Sequence, residues 1–138
     1  MIRFNQEDVN LKIKNKMVLK KWLASVAQDY GFKINQLNYI FCSDNYLLKM
    51  NQTYLSHETF TDIITFDLSE FENEIEGDIF ISLERVQENS LKFNTKETEL
   101  YRVMAHGLLH LMGFKDKTEK DKEIMREKEN LAISKLII

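Results

Sequence analysis

Two imidazoles and a carboxylate fall within one short stretch, His106-Gly107-Leu108-Leu109-His110-Leu111-Met112-Gly113-Phe114-Lys115-Asp116. On a helix, residues four apart project from the same face, so the rings of His106 and His110 can reach one ion. Gly113 suits the left-handed position that ends a helix, and a chain turned there can bring Asp116 back to the same ion. Two nitrogens and one carboxylate oxygen, with a fourth position open to water, make the donor set of a catalytic zinc site.

The offsets can be set beside the metzincin signature H-E-x-x-H-x-x-G-x-x-H. Ligand and glycine spacings agree, but Gly107 stands where a peptidase has its catalytic glutamate, and Asp116 where it has a third histidine. A peptidase needs that glutamate to take a proton from the activated water. Two histidines one turn apart more often form a plain polar stripe. The glycine and aspartate at the right offsets favour metal, as does the placing of two of the three histidines here.

The elements that must position these residues follow from periodicity. The pattern predicts a helix over 96–112, opened by a capping box of Asn94 and Glu97 and closed by Gly113. A last helix starts near Thr118, with Ile124, Met125, Leu131 and Ile133 as its apolar side. Upstream, 1–4 reads as a short edge strand. Residues 16–30 read as a helix capped by Asn15, with Met17, Val18, Trp22, Leu23, Val26 and Tyr30 at helical spacing. Residues 36–43 form a strand, and 45–55 a helix capped by Asp44. The β-branched and aromatic runs 61–67 and 77–83 are strands, joined by an acidic connection at 68–76 short enough to make them antiparallel. A short helix follows at 84–92. The expected fold is α/β (α+β): a small mixed four-stranded sheet packed with about five helices, with the metal site on a helix and the turn after it.

Composition narrows the class. The chain has 138 residues, 43% hydrophobic and 30% charged, which suits one globular domain over 1–138. A single cysteine excludes an intramolecular disulfide, no run is long and apolar enough for a membrane span, and the N-terminus lacks a secretory pattern. A cytoplasmic location is expected. The net charge of −3 disfavours a nucleic-acid binder that uses its whole surface, but allows a local basic groove. Lys12, Lys14, Lys16, Lys20 and Lys21 form one candidate groove lining, and Lys115, Lys117, Lys120 and Lys122 another; a mixed-charge surface is the plain alternative.

The same residues resemble a known family. HGLLHLMGF is similar to the H-G-x-L-H-L-x-G-[YF]-D-H signature of the YbeY endoribonucleases, the bacterial rRNA maturation factors. TDIITF (61–66) resembles the family's T-D-V-L-S-F strand and GDIFIS (77–82) its G-D-I-x-I-S strand, while Met125 and Glu129 match a Met and a Glu of its closing helix. The resemblance covers about 36–132. It implies a zinc-dependent, single-strand-specific endoribonuclease that acts in maturation of the 16S rRNA 3′ end and in ribosome quality control, with one Zn2+ and with single-stranded RNA, rRNA and ribosomal particles as partners. The implied fold is a small α/β domain with a mixed sheet and a zinc-bearing helix.

Three departures stand out. Asp116 replaces the family's third histidine. Tyr54-Leu55-Ser56 replaces its Tyr-Arg-Gly step, so the arginine thought to contact phosphate is missing, with His57 and Lys49 as nearby substitutes. Phe60 and Asp67 replace prolines around the T-D strand.

The expected catalytic group is His106, His110 and Asp116 acting through activated water, with His57 as a candidate acid or phosphate contact; an exposed loop histidine is its plain alternative. The attacking group could equally be the substrate's 2′-OH. Lys115 and Lys49 are candidate second cations, and Asp62 and Asp78 candidate partners that orient a ligand histidine, or else acceptors of backbone N–H groups. Cys42 reads as a small buried hydrophobe. Competing functions are a zinc metallopeptidase-like hydrolase and a ribosome-associated RNA-binding protein with a structural metal. Nickel or another divalent ion would fit the same donors.

Overall fold

The structure is a computed structural model that describes residues 1–55, 61–94 and 98–137. Four strands and five helices follow in the order β1 (Ile2–Gln6), α1 (Lys16–Asp29), β2 (Lys33–Cys42), α2 (Asp44–Leu55), β3 (Ile63–Asp67), β4 (Glu74–Ser82), α3 (Leu83–Lys92), α4 (Glu99–Leu111) and α5 (Glu119–Ser134). The sheet order is β1-β2-β4-β3. β1, β2 and β4 run parallel, and β3 is antiparallel to β4 in the register Ile63↔Ile81 through Asp67↔Gly77. This is the mixed four-stranded α+β fold expected.

The two sheet faces carry unequal cores. Alternate residues Leu37, Tyr39 and Phe41 of β2 and Ile75, Ile79 and Ile81 of β4 point to one side, where they meet Leu19, Leu23 and Val26 of α1 and Met104 and Leu108 of α4. On the other face α2 sets Leu47, Tyr46 and Met50 against Cys42, Ile64, Phe66 and Phe80. The C-terminal half of β2 is therefore buried on both sides and loses its alternation.

α4 is the helix that matters most. Val103, Met104, Ala105, Gly107, Leu108, Leu109 and Leu111 are buried, so it is wrapped in core on most of its circumference. Helix and sheet meet closely at Gly107: a Cβ there would sit 2.9 Å from side-chain carbons of both Ile63 and Ile79. Glycine is required for this approach.

Several boundaries differ from the sequence reading, each for a local reason. α4 begins at Glu99 behind Thr98; Asn94 is no N-cap but takes a left-handed turn (φ 55°), and Glu97 lies outside the described residues. Asn15 holds the N-cap position of α1 as expected, but in a left-handed conformation in which its carbonyl accepts the Leu19 N–H and its side chain makes no cap bond. Ser43, not Asp44, caps α2 by accepting the Tyr46 N–H, while Asp44 accepts from Ser82 Oγ and Arg85 Nε. β4 starts at Glu74 because its pairing with β2 extends to Lys33, which shortens the acidic connection. Met17 and Val18 are exposed on α1. α5 buries Met125, Glu129 and Ala132 and exposes Ile124 and Leu131, so its inward stripe includes a glutamate.

Candidate metal centre

α4 presents Arg102, His106 and His110 in one row, each a helical repeat from the next. After His110 the helix closes in a Schellman motif: Gly113 N–H donates to the His110 carbonyl at 3.0 Å and Phe114 N–H to the Leu109 carbonyl at 3.1 Å, with Gly113 at φ +99°. The corner is packed by the Phe114 ring, edge-on to Tyr30 at 5.3 Å. It also returns the Phe114 carbonyl to His110, whose Nδ1–H donates to it at 2.9 Å. Two residues on, Asp116 reaches the histidines. One ligand atom from each of His106, His110 and Asp116 lies within 4.8 Å of the other two.

The histidine tautomers follow from their partners. A carbonyl oxygen can only accept, so His110 carries its proton on Nδ1 and its Nε2 holds a bare lone pair. His106 Nδ1–H donates to Glu129 Oε2 at 2.7 Å. The two Nε2 atoms are then 2.9 Å apart, and Asp116 Oδ2 is 3.7 Å from that of His106. Two lone pairs facing each other at that distance repel unless something positive lies between them. The electrostatics agree. Burial pushes His106 down, but its hydrogen bond to Glu129 and the charges of Glu129, Asp116 and Asp62 outweigh this, and its pKa is raised. Burial and the His106 charge lower that of His110. Two inward nitrogens and a carboxylate around one position of positive charge fit a divalent cation of the zinc type.

The cluster lies in a cleft of about 600 Å³ that Thr61, Asp62, Lys115 and Lys117 also line. Asp62 is partly buried, and burial raises its pKa against the pull of His106. It accepts no described hydrogen bond from a ligand histidine. Asp78 alternates with the inward Ile79, faces the other side of the sheet and accepts from Asn38 Nδ2 at 2.9 Å, so it has no part in orienting the cluster. The carboxylate that does so is Glu129, which sequence reasoning matched to the family but gave no role, and its partner Arg102 was missed. The available signal was Arg102 lying four residues before His106.

The remaining candidates separate. His57 lies outside the described residues, and so does the side chain at Leu55. Lys49 is exposed on α2 and does not line the described cleft. Lys120 and Lys122 lie on α5 outside it, and Lys12 and Lys16 border a separate hollow of about 200 Å³ beside β1. Cys42 is buried with its thiol pushed up to about 12, which keeps it protonated, as a small buried residue should be. No helix among the described residues is long and apolar enough to cross a membrane.

Comparison with known proteins finds relatives along nearly the whole chain. The family profile described as Endoribonuclease YbeY matches residues 1–137. A protein of that name from Cytophaga hutchinsonii is 52% identical over 134 residues, 96% of this chain and 94% of the relative. One from Flavobacterium johnsoniae is 47% identical over 97% of this chain and 96% of its own length. The solution structure of TM1509 from Thermotoga maritima superposes with a TM-score of 0.67 at 29% identity, covering 99% of this chain and 89% of that one.

Proposed function

Because this chain belongs to the Endoribonuclease YbeY family, we propose that it is a metal-dependent endoribonuclease that cuts single-stranded RNA, using one zinc ion held by His106, His110 and Asp116. The observation that carries this reading is the convergence of those three side chains, with both Nδ1 atoms engaged and both Nε2 atoms turned to a common point. When bound, such an ion supplies Lewis acidity, which makes water acidic enough to attack near neutral pH and draws electron density from a phosphoryl oxygen.

The chain's own groups do the rest. Lys115 and Lys117 put two cations on the cleft beside the carboxylate ligand, where they attract the RNA backbone against the net negative charge. Glu129 holds His106 in its ligating orientation, and the Phe114 carbonyl does the same for His110. Asp62 lines the cleft wall and is the carboxylate assigned in this reading to move a proton there. The substrate is precursor rRNA in the cytoplasm. The role is 16S rRNA 3′-end maturation and ribosome quality control, with residues 1–138 acting as one domain.

The peptidase alternative is disfavoured by Gly107. It offers no carboxylate, and a Cβ there would sit 2.9 Å from side-chain carbons of Ile63 and Ile79, which leaves no room for the base a peptidase needs. A purely structural metal is disfavoured by access, since Asp116 is 35% exposed on an open cleft.

The test uses zinc-loaded protein with single-stranded RNA, duplex RNA and casein. Cleavage of the first alone, abolished by chelator and by His110→Ala, is expected. Casein cleavage, or tight rRNA binding without turnover, would replace this reading with one of the alternatives. Metal content should fall in Asp116→Ala; unchanged zinc would remove Asp116 from the ligand set.

A further inference from the structure

A chain of charged contacts runs from α5 into α4 behind the cleft. Glu129 is 5% exposed. Its Oε2 accepts His106 Nδ1–H at 2.7 Å and its Oε1 accepts Arg102 Nη1–H at 3.1 Å. Arg102 Nη2–H donates to Asn130 Oδ1 at 2.8 Å, and its Nε is buried with no acceptor among the described residues. Arg126 adds a second guanidinium 3.8 Å from Glu129 Oε1.

We propose that Glu129 is the positioning residue for His106, and that Arg102 dictates which tautomer Glu129 imposes. The inference rests on His106 being a metal ligand, as proposed above. Arginine has donors only. It therefore demands an acceptor at the Oε1 position whatever residue stands at 129. A glutamate meets that demand and still offers an acceptor to His106, so the imidazole keeps its proton on Nδ1 and directs the Nε2 lone pair at the shared point. A partner with one acceptor and one donor cannot do both. Arg102 would claim its oxygen, and its donor would face His106 Nδ1. The ring would then carry its proton on Nε2, the atom that must ligate.

E129Q creates that conflict with little change of shape. Nitrogen-15 spectroscopy of the imidazoles in the metal-free protein at alkaline pH reads the tautomer directly. His106 is expected with Nδ1–H in the wild type and Nε2–H in E129Q, with zinc affinity, measured by chelator competition, falling about 10–100-fold. The double variant R102M/E129Q frees the amide to turn. Nδ1–H should return, and zinc affinity should recover relative to E129Q alone, a rescue that loss of packing would not produce.

An Nδ1–H tautomer with wild-type affinity in E129Q overturns the proposal, as does a double variant no better than the single one. A switched tautomer with undiminished zinc affinity supports the positioning role and instead removes His106 from the ligand set. Should E129Q not fold, E129D replaces it. Its carboxylate still pairs with Arg102 but withdraws from His106, and a fixed Nδ1–H with undiminished zinc affinity there also overturns the proposal.

Discussion

Gly107 and Gly113 constrain the site through what they lack. At Gly107 any side chain collides with Ile63 and Ile79. Gly107→Ala should therefore cost about 1–3 kcal/mol, as overpacking does, read as a lower denaturation midpoint with an unchanged slope. Gly107→Glu should show no peptidase activity at all. At Gly113 the problem is backbone rather than space: nothing lies within 4 Å, but φ is +99°. Gly113→Ala should lose about 1–2 kcal/mol, and because the same corner holds the Phe114 carbonyl on His110, zinc affinity should drop with it; equal affinity in chelator competition would contradict that link.

The convergence of the three proposed ligands was legible at this scale because their relation is local. Four residues on a helix and three past a glycine fix His106, His110 and Asp116 without knowledge of the rest. The Glu129–Arg102 pair was not legible in the same way. It depends on how α5 crosses α4, and spacing within one helix says nothing of the next.

Elements were read well where one face is buried and poorly where the buried face is mixed. β3 and β4 show β-branched and aromatic alternation, and their antiparallel pairing followed from a short connection. α5 misled because its inward row, Met125, Glu129 and Ala132, includes a charge that only the histidine and arginine of α4 explain. Its start was clear: Thr118 Oγ1 accepts the Asp121 N–H, and the Asp121 carboxylate accepts the Thr118 N–H.

That box sets a pH dependence. The backbone hydrogen bond from Thr118 holds the Asp121 carboxyl below its usual range. A carboxyl lowered on folding contributes stability above its unfolded pKa and loses it as pH falls through the folded value. Asp121→Asn keeps an acceptor but removes the charge. Its melting temperature should lie below that of the wild type at neutral pH, and the gap should close once acid protonates both the folded and unfolded carboxyl. A gap that persists at low pH would assign the loss to something other than charge.

Over the whole molecule, the sheet separates a thick core under α1 and α4 from a thin one under α2, and α4 carries the histidines of the proposed metal site on the thick side. An ion bound only by the folded chain should stabilise all of it, by about 2.7 kcal/mol at a hundredfold excess over Kd. Zinc should raise the melting temperature of the wild type and leave Asp116→Ala unmoved. Charge acts at this scale too. The chain carries a net −3, so RNA must be drawn to a local patch. Lys115→Gln/Lys117→Gln should raise KM for RNA, flatten its salt dependence and leave kcat nearly unchanged; a fall in kcat alone would place these lysines in the chemical step instead.

The corner between His110 and Asp116 joins two jobs that proteins often keep apart. One ring of hydrogen bonds stops a helix and aims an imidazole, so the number of residues in that corner is as much a part of the cation's recognition as the donors themselves. Inserting a single alanine after Gly113 would spare every donor atom and the helix before it, yet carry the Phe114 carbonyl and the carboxylate off their marks. In this reading, chain length is itself a ligand-selecting variable.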